Sequence, residues 1–200
     1  MSLAFKSFVL LLSIVAASGA DKEKPFRAKP AASYAYRQTS EKVTIAAEPF
    51  DKEEKTREAF GSLNPNQYGI LPVLVVIQND GPVALSLENM RAEYITMSRQ
   101  KVEATPAGDV PRTIGGKNPG PNPDRFPSPL PRIGKSKNPL TAWEIGGRAF
   151  AAKMLPPGES ASGFVYFQAP SRPGAKLYIT GLQEAPTRRE LFYFEIPLGP

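Results

Sequence analysis

The clearest chemical signal in the sequence is a group of cations in an irregular segment. Nine Lys or Arg residues and four Asp or Glu residues lie between Ser98 and Arg148, in a chain of net charge +6. Cations clustered on an open segment can hold an anionic polymer. The residues predicted to do so are Arg112, Lys117, Arg125, Arg132, Lys135 and Lys137. The alternative is a solvated loop whose charges keep the protein soluble, as most charge-rich segments do.

The composition of this basic segment also indicates which anionic polymers it suits. Lipopolysaccharide and anionic cell-wall polymers need charge alone, whereas single-stranded nucleic acid is held by aromatic rings that stack on its bases. The segment has two rings, Phe126 and Trp143. We therefore expect no nucleic-acid partner.

The chain contains neither cysteine nor histidine. This composition excludes Ser-His-Asp triads, Cys-His dyads, zinc sites built on His or Cys, and iron–sulfur or haem ligation by those residues. The composition still allows catalysis by carboxylates or lysine and the binding of calcium by oxygen ligands. We expect a protein that is not an enzyme and takes no cofactor or metal. A carboxylate-based hydrolase is the alternative, although no facing pair of acids is evident.

Two short motifs resemble catalytic ones but lack their companions. Ser98 and Lys101 have the spacing of a serine–lysine hydrolase, yet neither S-D-N nor K-T-G is present. The stretch from Gly158 to Gly163 approaches the G-x-S-x-G nucleophile elbow, but its second glycine comes one position late and no histidine can act as base. We interpret the first as a chance match and the second as a hairpin turn.

The N-terminus has the three parts of a secretory signal peptide. Lys6 follows the free amino group, Phe8 to Ala17 is a run of ten apolar or small residues, and Ser18-Gly19-Ala20 suits a signal peptidase. A membrane span needs about 20 apolar residues, so the run is too short to be one. We predict cleavage after Ala20 and a periplasmic or extracellular protein without a membrane span.

The remaining chain is expected to form one β-rich domain. The side chains of residues 21–40 are mostly charged or small, which predicts a flexible linker or arm. Residues 41–197 form the domain, interrupted by an irregular, Pro- and Gly-rich insertion at 98–140. Without a disulfide, its stability must come from a packed core.

Alternating apolar residues predict seven or eight short strands separated by turn residues. Ile70 to Asn79 is apolar on both faces, which is typical of a central, covered strand. The other predicted strands are Lys42–Ala47, Val83–Leu87, Arg91–Met97, Ala161–Gln168, Lys176–Leu182 and Glu190–Ile196. This pattern favours an all-β, antiparallel sandwich, with an open barrel as the alternative.

One short helix is predicted from Asp51 to Phe60. Asp51 and Glu54 have the spacing of a capping box, and Gly61 stands where a helix would end. Residues 148–154 suit either a strand or a helical turn. Tyr166, Tyr178 and Tyr193 alternate along strands and are expected to pack in the core or at its rim, with a binding strip on one outer face as the alternative.

Two stretches, residues 70–100 and 150–197, resemble the immunoglobulin-like domains of exported bacterial proteins, including the telokin-like group of unknown function. Those domains have a buried strand that ends at Asn before a turn. A later hairpin has the pattern L-x-P-G-E-x-x-x-G-x-V-x-F-x-x-P. The matching hairpin residues are Leu155, Pro157, Gly158, Glu159, Gly163, Val165, Phe167 and Pro170. The resemblance implies an immunoglobulin-like β-sandwich in the cell envelope and implies no reaction.

These observations together predict a non-enzymatic, exported accessory or binding module of the envelope. It would act through its loops or an exposed sheet edge. The expected partner is an envelope protein or, through the basic insertion, an anionic polymer. Neither the ligand nor the oligomeric state follows from the sequence.

Overall fold

The computed structural model describes residues 26–115 and 138–199, which form three antiparallel sheets and a few short helices. The strands of this part are β1 (Arg37–Ser40), β2 (Val43–Pro49), β3 (Leu71–Asn79), β4 (Leu85–Ser86), β5 (Arg91–Ile95), β6 (Lys101–Glu103), β7 (Met154–Leu155), β8 (Ser160–Phe167), β9 (Lys176–Thr180), β10 (Gln183–Glu184) and β11 (Phe194–Pro197). The α-helices are α1 (Glu53–Phe60) and α2 (Trp143–Gly147), and 3-10 turns lie at Ala31–Ser33, Pro65–Tyr68, Val110–Gly115 and Pro139–Thr141. The predicted all-β class is confirmed.

Two four-stranded sheets enclose the larger core. The first sheet has the order β1-β2-β3-β8, and the second has the order β11-β9-β5-β6. Val73 and Val75 of β3 share this core with Leu177 and Ile179 of β9. A small sheet, β10-β4-β7, closes one end with Leu85 and Leu155 directly opposite each other.

The first sheet is covered on its other face as well. Leu74 and Val76 of β3 lie in a second core with Phe60 of α1 and Ile145 of α2. This double burial confirms that the apolar run from 70 to 79 is a central strand. A helix-covered outer face explains why both faces of that strand are apolar.

The segment expected to be a flexible arm is packed where the structure describes it. Ala31 and Tyr34 are buried in the second core, and β1 pairs with β2. The hairpin between these strands turns at Glu41 and Lys42, both with positive φ. A few apolar residues at the right places hold this segment, although its average composition is that of a linker.

Helix α1 begins two residues later than the predicted start at Asp51. Lys52 occupies the N-cap without a side-chain hydrogen bond, so the predicted capping box is wrong. The carboxylate of Asp51 instead accepts a hydrogen bond from Ser171 Oγ at 2.9 Å. The helix ends at Gly61, as predicted, with a φ of 62° that favours glycine.

The segment predicted as an irregular insertion is ordered at both ends. Residues 101–103 form β6, and Val110 and Leu140 are fully buried in the second core. The Asn138 side chain donates to the Pro111 carbonyl and so joins the two ends. Residues 116–137 lie outside the described part.

Candidate functional site

The predicted anion-binding residues are not brought together by the described structure. Arg112 is on the surface and donates to Asp109 Oδ1 at 2.6 Å, in a pair that is mostly exposed. Such pairs contribute about 0–1 kcal/mol, so the contact neither fixes Arg112 firmly nor excludes another anion. Lys117, Arg125, Arg132, Lys135 and Lys137 lie outside the described residues. Binding of an anionic polymer by this segment therefore stays a prediction.

The expected core packing is confirmed for Tyr166, and the alternative of a strip of three tyrosines is wrong. Tyr166 of β8 is buried in the second core, and its hydroxyl donates to the Ile145 carbonyl at 2.7 Å. Tyr178 and Tyr193 do stack, with ring centroids 5.1 Å apart. The three were grouped by alternation along their own strands, but β8 and β9 belong to different sheets.

The candidate site is the side chain of Arg148, which directly follows α2. Its Nε and Nη1 atoms are buried and have no hydrogen-bond partner. Within residues 26–115 and 138–199, these are the buried side-chain nitrogens and oxygens that lack one. A buried donor without a partner costs about 1–3 kcal/mol, so such an arrangement calls for an explanation in the form of an acceptor.

Two aromatic rings hold the guanidinium of Arg148. Its Cζ lies 5.8 Å from the ring centroid of Phe26 and 5.6 Å from that of Trp143. Both are cation–π distances, which stabilise the charge without satisfying its N–H groups. The rings fix the position of the guanidinium, while its covered Nε and Nη1 atoms keep their N–H groups without a partner.

Arg148 opens onto a cleft of about 420 Å³. The described residues that line it are Phe26, Arg27, Ala28, Leu74, Gly147, Arg148, Ala149, Ser162, Gly163 and Phe164. Two of them are arginines and none is Asp or Glu. A concave site that carries charge of one sign favours ligands of the opposite sign, here anions.

The backbone of residues 148–150 is fixed to the edge of the first sheet. The Arg148 carbonyl accepts from Phe164 N at 2.8 Å, and Phe150 N donates to the Phe164 carbonyl at 2.9 Å. These bonds make a short parallel contact with β8, which we call the strap. Arg148 is therefore held on a rigid element rather than on a free loop.

Two glycines make this arrangement sterically feasible. A Cβ on Gly163 would lie 2.4 Å from Phe150 Cα, so the strap approaches β8 this closely only beside a glycine. A Cβ on Gly147 would lie 2.8 Å from Trp143 Cε3, so the indole lies against the last turn of α2. Trp143 remains largely exposed there despite its contact with Arg148.

The side chain of Tyr166 connects β8 to α2. Burial raises the pKa of its phenol well above the usual range, an effect that the positive charge of Arg148 partly opposes. The phenol therefore stays protonated and can donate to the Ile145 carbonyl. This bond ties α2, and with it Trp143, to β8.

Sequence reasoning placed Arg148 in the basic segment but did not select it. The local signal is weak, since it consists of a tryptophan, two glycines and an arginine within 143–148. The remaining partners, Phe26 and Phe164, come from distant parts of the chain. Their meeting depends on the tertiary fold.

No group of three or more His, Cys, Asp or Glu residues that could hold a metal ion occurs among the residues described. In the same part of the chain, no helix has the length and apolar character needed to cross a membrane.

Comparison with known proteins yields distant structural likenesses. No family model and no curated protein matches this chain. The crystal structure of the "Putative ApaA Protein" from Bordetella pertussis aligns with 14% identity and a TM-score of 0.36, over 78% of this chain and 88% of that one. An X-ray structure of the structural genomics target SoR45 aligns with 11% identity and a TM-score of 0.34, over 82% and 91%. The resemblance to telokin-like domains stays a prediction.

Proposed function

We propose that this protein is a non-enzymatic binding module whose ligand places an anionic group on Arg148. The observation that carries the proposal is the half-buried Arg148, whose Nε and Nη1 are covered and have no acceptor. An anion with two or more oxygens would satisfy both donors, and hydrogen bonds between charged groups are the strong ones. Binding of the ligand would remove the free-energy cost of the unpaired Nε–H and Nη1–H groups of Arg148.

The surroundings of Arg148 support binding more than chemistry. Its cleft exposes more polar than apolar surface, and no described carboxylate lines it to act as acid or base.

The cellular setting and the finer fold are part of the same proposal. The predicted signal peptide, with cleavage after Ala20, supports an exported protein of the bacterial envelope. Two stacked antiparallel sheets support an immunoglobulin-like arrangement of the strands. In such a module, a binding site at the edge of a sheet is a common location.

The test is a titration of the purified, isotopically labelled protein with inorganic phosphate and with acetate. We expect the side-chain Nε–H resonance of Arg148 to shift saturably. Arg148→Met keeps an apolar stem of similar length and removes all the donors, so the affinity for phosphate should fall about tenfold or more.

Arg112→Met is the matched control, because Arg112 is an exposed arginine already paired with Asp109. This variant should bind phosphate like the wild type. Equal binding by the Arg148→Met variant and the wild type would refute the proposal. A lack of any change at the Arg148 Nε–H during the titration would do the same.

A further inference from the structure

The edge of β8 beside Arg148 has open backbone groups. In the antiparallel pair of β3 and β8, Leu74 lies opposite Phe164 and Val76 lies opposite Ser162. Phe164 directs both its N–H and its C=O away from β3, because both bond to the strap. Alternation along an antiparallel strand then directs the backbone groups of Ser160 and Ser162 outward as well.

The outward N–H and C=O groups of β8 differ in whether they have a hydrogen-bond partner. Phe164 is paired with the strap, and the carbonyl of Tyr166 accepts from Thr105 N at 2.7 Å. Among the described residues, nothing pairs with the outward N–H and C=O of Ser160 or Ser162, and both residues are exposed. An unpaired stretch of strand edge is a template for another extended chain.

The open edge and the unpaired guanidinium belong to one cleft. Ser162 and Arg148 both line it, and most of the surface that it exposes is polar. A peptide in extended form supplies a donor and an acceptor at the spacing of a strand, which phosphate and glycans do not. Its terminal or side-chain carboxylate also supplies the acceptor oxygens that Arg148 lacks.

We infer that the ligand of this cleft is an extended peptide that adds a strand to the β8 edge at Ser160–Ser162 and places a carboxylate on Arg148. The inference rests on the proposed function and specifies its ligand class. The strap marks where such a peptide would stop, because it already occupies the edge at Phe164. Charge complementarity with Arg27 and Arg148 selects an acidic or C-terminal segment.

The experiment uses the labelled protein and three mixtures of random hexapeptides. The first mixture lacks Asp and Glu and ends in a free carboxylate. The second is its C-terminal amide. The third is an amide that contains one Glu in every peptide. The readouts are hydrogen exchange at the Ser162 amide and the shift of the Arg148 Nε–H.

We expect a carboxylate-bearing mixture to slow exchange at Ser162 by about tenfold while the amide without Glu does not, because ladder pairing protects an amide. Protection by the first mixture assigns a C-terminal carboxylate, and protection by the third assigns a side-chain one. Methylating alternate backbone nitrogens of the peptides should remove the protection, a result that requires no change in the protein.

Ser162→Pro tests the edge from the protein side, since proline is tolerated where an outward N–H faces solvent. The variant should lose the peptide-dependent protection of the neighbouring outward amide, that of Ser160. If phosphate shifts Arg148 but no mixture protects Ser162, the inference is overturned and the proposed function stands. If neither phosphate nor peptide affects Arg148, both fail.

Discussion

Arg189 and Arg148 are two arginines of the same chain in opposite situations. Arg189 donates to Glu41 Oε2 and to Glu184 Oε1, both at 2.6 Å, and so joins the β1–β2 hairpin to the chain after β10. Arg148 has two aromatic neighbours and no acceptor for its buried nitrogens. The fold supplies Arg189 with two carboxylate partners, whereas it positions Arg148 and supplies no acceptor for Nε and Nη1.

The difference shows how a structural cation and a binding cation can be told apart. Exposed, paired cations fix the relation between two segments and add little free energy. A buried N–H group without a partner lowers stability unless an ordered water or a ligand supplies the acceptor. The first case describes Arg189 and Arg112, and the second describes Arg148.

The largest effect is expected when the strap under Arg148 is displaced. Gly163→Ala would place a Cβ 2.4 Å from Phe150 Cα and should lower the free energy of unfolding by about 1–3 kcal/mol. The phosphate response of Arg148 should weaken with it, because the strap positions that side chain.

Gly108→Ala is the matched control for this glycine substitution, since its Cβ would meet nothing within 4 Å. Chemical denaturation of both variants measures the difference in stability. Equal stabilities for the two variants would show that the close approach of the strap to β8 is not required.

A smaller effect of opposite sign is expected at Arg148 itself. Without ligand, Arg148→Met should raise the free energy of unfolding by about 1 kcal/mol net, because two unsatisfied donors that cost about 1–3 kcal/mol each disappear. The loss of contacts with Phe26 and Trp143, about 0.5–1 kcal/mol each, offsets part of the gain.

Thermal unfolding of the Arg148→Met variant beside Arg112→Met measures this gain. Arg112→Met should be close to neutral, because an exposed pair contributes little. A clear loss of stability in the Arg148 variant would mean that Arg148, like Arg189, is a structural arginine. The comparison between the two residues would then fail.

The same contrast explains which features were predictable from the sequence. The apolar run of β3 and the glycine that ends α1 are local patterns, and both predictions hold. The cap at Asp51 failed because its carboxylate binds Ser171, a residue 120 positions away. Local patterns predict helices and strands, but they do not predict which distant side chain forms a hydrogen bond with a given polar group.

The site escaped prediction for a related reason. A count of cations from 98 to 148 treats Arg148 and Arg112 alike, although one lacks an acceptor and the other has Asp109. What distinguishes them, among the residues that the structure describes, is that no Asp or Glu lines the Arg148 cleft once Phe26 and Phe164 have come together from distant segments. That absence is a property of the packed chain and has no local signature.

The smallest effect is expected at Arg189, and it should depend on pH. Hydrogen bonds from Arg189 lower the pKa of both Glu41 and Glu184. A carboxyl with a lowered pKa in the folded state stabilises the protein above its unfolded pKa, about 4.3, and loses that contribution as the pH falls through the folded value. Arg189→Met should therefore be slightly less stable than the wild type at pH 7, and this difference should shrink below about pH 4.

Denaturation of the Arg189→Met variant and the wild type at pH 7 and at pH 3 tests this dependence. Salt should reduce the difference at pH 7, since both carboxylates are close to solvent. Arg148→Met should show no such dependence, because no described carboxylate lines its cleft. A pH-dependent difference of the same size at Arg148 would reveal an acidic partner of its own and would remove the contrast between the two arginines.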